Sequence, residues 1–367
     1  MTSTIQFPAH VIGLMSGTSA DGVDAALLYT DGRAVVEAGA SHFVPYDAAL
    51  RADILALMRG AGDAKNVGAA LTDIHIQAVN ALIKKAAVSR ETVALVGFHG
   101  QTIRHAPQEG VTVQLGEAAR MAAALGIPVV ADFRSNDVRH GGQGAPLVPL
   151  YHAALAHTLE KPLMVVNIGG VSNVTWLGAA GEIIAFDCGP GSALLDDWVF
   201  RHTGERYDAN GALAARGVVD SALVGEFLRD PFFLRDAPKS LDRLHFETLV
   251  HGLLHRPDRQ LSLEDGAATL TSMTATAIAL SFGAVPASPK RVLIAGGGRH
   301  NATLMGLLKA CVNAPVMAVE EVGWDGDMLE AQAFAYLAAR SAQGLPLSLP
   351  TTTGVSQPVT GGVFYPA

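Results

Sequence analysis

Short apolar or β-branched runs recur along the first part of the chain, separated by clusters of Gly, Ser and Asp. Runs at 11–15, 23–29 and 34–37 predict three short strands joined by turns, a meander. A helix is predicted at 47–59. A second covers 67–85, where Leu71, Ile74, Ala78, Leu82 and Ile83 keep one apolar stripe at helical spacing. Strands follow at 93–98, 111–115 and 128–131, with a helix at 117–125 between the last two. From residue 145 a helix leads into a second set of strands, 163–168, 171–177 and 183–187. Helices then dominate to about 283. Strands at 291–295 and 316–319 flank a helix at 301–311, and a strong helix closes the pattern from 327 to about 343.

The order of these elements carries more than their boundaries. Twice the chain runs strand, Gly/Ser-rich turn, strand: at Ile12-Gly-Leu-Met-Ser-Gly-Thr-Ser-Ala-Asp-Gly-Val-Asp24 and at Val165-Val-Asn-Ile-Gly-Gly-Val-Ser-Asn-Val-Thr175. Each copy continues into another strand and then helices. Such a duplication predicts two similar α/β domains, each presenting a hairpin whose backbone N–H groups can face phosphate. The richest loop is Gly141-Gly-Gln-Gly-Ala-Pro146, so the expected division is 1–140 plus 340–367 against 141–339.

Composition narrows the function. Of 367 residues, 49% are hydrophobic and 16% charged, which supports a large core and argues against disorder. The formal charge of −8 disfavours nucleic acid and anionic membrane as partners, since both recruit basic patches. Cys188 and Cys311 match no metal or redox spacing, and their apolar neighbours read them as buried free thiols in a reducing, cytoplasmic setting. The start of the chain lacks the basic region of a signal peptide, the first basic side chain being Arg33. The longest uncharged stretch, 266–289, carries many Thr and Ser and follows the helix-start pattern Ser262-Leu-Glu-Asp265. It is expected as a buried helix, not a membrane span.

Several familiar chemistries are absent. There is no Gly-Lys dipeptide for a Walker A loop, no Gly-x-Gly-x-x-Gly, no His-Glu-x-x-His and no Gly-x-Ser-x-Gly. The histidine spacings fit no standard metal site. The hydroxyls and amides of the first turn suit an anion, and either Asp21 or Asp24 suits a hydrated Mg²⁺, although a plain polar turn uses the same residue types. Ala295-Gly-Gly-Gly-Arg-His-Asn301 lies between a strand and a helix. Its glycines would let a flat base lie on the backbone, and Asn301 also fits a helix cap. Phe186-Asp-Cys-Gly-Pro-Gly-Ser192 sets Asp187 at the C-terminal end of a strand, where open α/β sheets hold ligands; an Asp in that position can also simply bond its own loop. His99-Gly-Gln-Thr102 and Ala131-Asp-Phe-Arg134 supply planar polar groups suited to sugar hydroxyls. Asp327 fits a helix N-cap, with Glu330 in the first turn.

Taken in order, these segments, together with Gln114-Leu-Gly-Glu117 and Gly142-Gln-Gly-Ala-Pro-Leu-Val-Pro149, resemble the anhydro-N-acetylmuramic acid kinase family from residue 13 to about 340. The resemblance implies a two-domain actin-like ATPase fold, ribonuclease H-like, with an interdomain cleft. It implies ATP-dependent opening of the 1,6-anhydro ring by water with phosphorylation of O6, giving N-acetylmuramic acid 6-phosphate in peptidoglycan recycling. Asp187 would be the base, and His99, Gln101, Asp132, Arg134 and Glu330 would hold the amino sugar. Gly17, Thr18, Ser19, Ala20, Asp21, Gly22, Val23 and Asp24 would face the ATP phosphates, with Asp21 toward Mg²⁺ through water. Gly169, Gly170, Ser172 and Asn173 would form the second hairpin, and Gly296, Gly297, Gly298 and Asn301 the adenosine site. Cys188 and Ser192 depart from the Thr and Asn usual there. A homodimer is the family expectation. Two other readings use the same fold: a kinase of a hexose or a carboxylate, and a non-catalytic actin-like nucleotide-binding protein. A plain hexose that triggers ADP release would mark the first, and filaments without sugar-dependent turnover the second.

Overall fold

In a computed structural model, residues 5–17, 19–241, 243–255 and 259–367 are described. The chain divides into two compact units, one of residues 1–158 with 328–367 and the other of residues 159–327. The expected boundaries at 141 and 340 therefore move. The loop at 141–146 stays with the first unit because its Gly144 N–H donates to the buried Asp137 carboxylate at 2.6 Å. The closing helix stays there because it packs on the first sheet.

Each unit is built on one sheet. The first has β1 (Ala9–Ser16), β2 (Gly22–Thr30), β3 (Val36–Pro45), β4 (Val93–Ala106), β5 (Val111–Leu115), β6 (Val129–Ala131) and β12 (Val363–Tyr365), in the order β12-β6-β4-β1-β2-β3 with β5 paired to β4. The second has β7 (Leu163–Ile168), β8 (Val171–Leu177), β9 (Ile183–Pro190), β10 (Val292–Ala295) and β11 (Val316–Ala318), in the order β11-β10-β7-β8-β9. In both, an antiparallel meander comes first and parallel strands are added beside its first strand: β4 on β1, then β6; β10 on β7, then β11. The duplication expected from the two Gly/Ser-rich turns is thus a duplication of topology.

Three departures have local causes. The strand expected at 34–37 runs to Pro45, because Glu37-Ala-Gly-Ala-Ser41 is too small and polar to signal a strand and lies on the sheet's edge. The short strand β12 is apolar, but three residues between Gly-rich and Pro-containing segments give no period to read, and at the sheet's edge its Val363 and Phe364 remain exposed. β4 continues far beyond 98, so the His99–Thr102 segment is strand, not loop.

The helix Leu263–Leu280 is long and apolar enough to cross a membrane by length and composition. Here it is a core helix of the second unit. Ala267, Leu270, Met273 and Ala277 pack with Trp198, Phe227 and Phe246, and Ile278 packs with sheet residues Val166 and Ile294. Ser262 caps it by accepting from the Asp265 N–H at 3.0 Å, the start expected from the sequence.

The helix Leu329–Ala342 is rich in Ala, the best helix former, and its small side chains allow close approach to the sheet. A Cβ on Gly13 of β1 would sit 1.8 Å from the Ala331 carbonyl oxygen, and one on Gly97 of β4 would sit 2.2 Å from that of Phe334. Backbone meets backbone at both places, so no rotamer change can make room. Gly97→Val is expected to cost at least the ~1–3 kcal/mol of an overpacked core, read as a lower urea midpoint. A midpoint equal to the parent's would show that the helix is not seated on these glycines.

Candidate active site

The first unit gathers most of the residues expected to hold a sugar. His99 is buried and tilted over the Phe334 ring at 4.4 Å between centroids. Its Nδ1 lies 2.7 Å from the Gly100 carbonyl and so carries the proton, while Nε2 accepts from Arg134 Nε at 3.0 Å. Burial, reinforced by the Arg134 charge, holds its pKa well below the usual histidine range. Both ring nitrogens are engaged, and His99 orients Arg134.

Arg134 also donates to the Gly144 carbonyl at 2.7 Å and stands over the Phe334 ring. Gly144 is fixed in turn by Asp137, whose other oxygen accepts from Thr353 at 2.6 Å. Nothing in the sequence singles out Asp137 or Thr353, since an Asp within a short helix and a Thr near the C-terminus carry no distinguishing pattern. Glu330 is half-buried in the first turn of its helix. Desolvation raises its pKa, and the Arg134 charge opposes that rise. Arg134 and Glu330 therefore form one electrostatic unit. Asp132 takes φ = +55°, a left-handed conformation that costs a non-glycine residue on the order of 1 kcal/mol, and its carboxylate accepts from the Ser135 N–H at 3.3 Å.

Gln101 belongs elsewhere. It is fully buried and donates its amide N–H to the Gly17 carbonyl at 2.9 Å, bracing the turn between β1 and β2. In that turn Ala20 N–H donates to the Gly17 carbonyl at 3.1 Å, and Ser19 Oγ to Asp21 Oδ1 at 2.8 Å. Gly22, Val23 and Asp24 are already in β2. Thr18 lies outside the described residues. A magnesium ion bridging phosphates keeps several waters and needs few protein oxygens. Asp21 and Asp24 flank the exit of the turn, and among the described residues no three His, Cys, Asp or Glu groups converge on one point. The turn suits a metal held chiefly by phosphate and water.

In the second unit the β7–β8 turn is closed by the segment after β9. Gly191 N–H donates to the Gly170 carbonyl at 3.0 Å, and Ser192 N–H to that of Gly169 at 2.8 Å. The Gly169 N–H turns back to the Val171 carbonyl, and the buried Ser172 hydroxyl donates to the Pro190 carbonyl. Asn173 stands opposite Asp187 across β8 and β9, with a bulge beside the pair. Asp187 is half-buried. Its N–H donates to the Lys239 carbonyl at 2.9 Å, and its Oδ2 accepts from the Leu241 N–H at 2.8 Å. The segment carrying Lys239 and Leu241 is itself anchored, because the Lys239 ammonium donates to the Phe232 and Arg235 carbonyls at 3.0 Å each and lies over the Phe232 ring. Nothing in the sequence near 239 signals that clamp. Cys188, beside Asp187, is buried and its thiol donates to the Ser172 carbonyl at 3.3 Å; burial pushes its pKa up, so it stays neutral, whereas Cys311, expected to be buried, is exposed at the end of its helix.

Gly296 takes φ = +75°, and a Cβ there would meet Asn167 Oδ1 at 2.4 Å; one on Gly298 would meet Ile168. Gly297 faces open space. Asn301 is a helix cap, accepting from the Leu304 N–H at 2.9 Å. The loop is propped by buried Arg299, which donates to the Gly296 carbonyl at 3.0 Å and pairs with Glu320 and Asp327 at 2.8 Å each. Asp327 therefore anchors Arg299 and does not cap the closing helix, whose N-cap, Met328, makes no side-chain bond.

The repeated meander-plus-parallel sheets, each with a Gly-rich hairpin, define a member of the actin-like ATPase and sugar kinase fold class. A crystal structure of component A of (R)-2-hydroxyglutaryl-CoA dehydratase from Acidaminococcus fermentans shares that fold, with TM-score 0.50 and 14% identity, covering 91% of this chain and 99% of that one. The chain belongs to the anhydro-N-acetylmuramic acid kinase family, whose profile matches residues 9–367. It is 53% identical over 360 residues to an anhydro-N-acetylmuramic acid kinase of Acidiphilium cryptum, covering 96% of this chain and 97% of the relative. It is 50% identical over 362 residues to one of Rhodospirillum rubrum, covering 97% and 94%.

Because a side chain at Gly297 meets no neighbour, Gly297→Leu is expected to fold like the parent and raise the KM for ATP about tenfold or more, against little change for sugar. An unchanged ATP KM would remove the base from this loop.

Proposed function

We propose that the chain phosphorylates 1,6-anhydro-N-acetylmuramic acid with ATP while water opens the anhydro ring. Water adds at C1, the C1–O6 bond breaks, and O6 takes the γ-phosphoryl group. The products are N-acetylmuramic acid 6-phosphate and ADP, and the water's proton leaves through Asp187. Membership of the family over residues 9–367 supports the substrate class. The observation that carries the mechanism is the clamped carboxylate of Asp187, one oxygen tied to a backbone N–H on a rigid strand end.

Water is a weak nucleophile, and a positioned general base is worth about 10²–10⁴-fold. Phosphoryl transfer asks mainly for placement and charge neutralisation. The two hairpins supply the first, and Asp21 would hold a hydrated Mg²⁺ that, when bound, offsets the phosphate charge. In this reading Arg134 and Glu330 bind the sugar, with His99 behind Arg134, and the Gly296–Gly298 loop carries the adenosine. The same reading expects a cytoplasmic enzyme, where ATP and a recycled wall sugar meet, and a homodimer.

Asp187→Asn keeps the size and one acceptor oxygen for the Leu241 N–H. It is expected to leave sugar and ATP binding within a few-fold of the parent, by titration calorimetry, while turnover falls about 10²–10⁴-fold. Near-normal turnover would refute the base assignment.

A further inference from the structure

Among the described residues, four buried side-chain polar atoms have no hydrogen-bond partner, and three of them surround the first phosphate turn: Tyr46 Oη, Arg51 Nε and Gln101 Oε1. Buried polar groups in folded proteins are almost always paired, so a cluster of orphans at one place needs a cause. Each of the three residues is already tied to the turn by its other groups. Tyr46 N–H donates to the Asp21 carbonyl at 3.0 Å, Arg51 donates through a terminal nitrogen to the Ser19 carbonyl at 3.4 Å, and Gln101 holds the Gly17 carbonyl. Gln101 comes from β4, Tyr46 from the connection between β3 and the helix Ala48–Met58, and Arg51 from the first turn of that helix, so no single stretch of sequence accounts for their meeting.

We infer that Tyr46 and Arg51 belong to the nucleotide site, their unused donors reaching the polyphosphate of the bound nucleotide or its metal-bound water. This inference rests on the reading of the turn as the ATP phosphate site and extends it to two residues outside the Gly17–Asp24 motif. The chemistry is consistent on each count. The Ser16 hydroxyl beside the phenol donates to the Gly100 carbonyl at 3.2 Å; it lies near enough to lower the Tyr46 pKa, but its geometry falls short of a hydrogen bond to the phenol. Burial, the largest cause, and the charges of Asp21 and Asp24 raise the Tyr46 pKa against a lowering by the neighbouring Ser16 hydroxyl, so the phenol keeps its proton. Arg51 brings a positive charge to a turn that has none of its own and that lacks the lysine of a Walker loop. Gln101 Oε1 is an acceptor and suits a metal-bound water or a nucleotide hydroxyl better than a phosphate oxygen.

The test exploits an asymmetry. Removing a paired hydroxyl from a core weakens the fold, whereas removing an orphan leaves it unchanged or stronger. Tyr46→Phe and Arg51→Met would be compared with the parent by calorimetric titration with the magnesium complex of AMPPNP and with AMP, and by thermal melts without nucleotide. Expected results are a roughly tenfold weaker Kd for AMPPNP in each variant, a smaller change for AMP, and a melting temperature of nucleotide-free Tyr46→Phe equal to or above the parent's. The inference is overturned if both variants bind AMPPNP as the parent does, or if nucleotide-free Tyr46→Phe melts several degrees lower, which would show that the phenol has a structural partner. If Arg51→Met fails to fold, Tyr46→Phe alone decides. A parent protein that does not bind AMPPNP would instead refute the ATP reading on which this inference stands.

Discussion

The close seat of the helix Leu329–Ala342 on β1 and β4 is the constraint from which the first unit's site follows. Gly13 and Gly97 let two backbones meet where any side chain would collide. That contact fixes the height and rotation of the helix, and with it Phe334. The Phe334 ring is the floor on which His99, Phe133 and Arg134 are laid, at 4.4, 5.2 and 5.9 Å. Glu330, one turn earlier on the same helix, arrives beside Arg134 by the same geometry. A shift of the helix would separate a half-buried acid from the cation that opposes its protonation.

Hydrogen bonds to the backbone help position the candidate site residues. Asp187 is oriented by the Leu241 N–H and the Lys239 carbonyl, Arg134 by the Gly144 carbonyl and a neutral histidine, and the first phosphate turn by the amide of Gln101. Salt bridges elsewhere, such as Arg104–Glu109 and Lys290–Glu160, are exposed and worth little to stability. The exception is Arg299, whose guanidinium is buried beneath the Gly296 turn and there ties three separate segments together.

Much of this was legible in the sequence, for identifiable reasons. Strands β7 and β8 and the helix Ala302–Cys311 announced themselves because apolar runs end sharply at Gly, Pro or Asn. The motif glycines were readable because close approach leaves few other choices of residue. What stayed hidden depends on tertiary contact. Nothing local distinguishes Lys239, Asp137, Tyr46 or Arg51 from ordinary surface or core residues, since their partners lie on other elements. Asp327 was misread because an Asp before a helix is usually a cap, whereas here a buried arginine claims it. The bond from Arg134 to His99 was equally hidden, since the two residues stand on different elements of the chain.

In the proposed reaction, the chain opens the anhydro ring with water and phosphorylates O6. Incubation with Mg-ATP and 1,6-anhydro-N-acetylmuramic acid in ¹⁸O-labelled water tests it most directly. The sugar phosphate would be read by mass spectrometry soon after quenching, against product exposed to the same water to correct for exchange at C1. The account predicts ADP together with a sugar phosphate labelled at C1 and unlabelled in its phosphate. A phosphorylated sugar without label at C1 would remove water activation from Asp187, and the absence of sugar-dependent ADP would contradict the substrate itself.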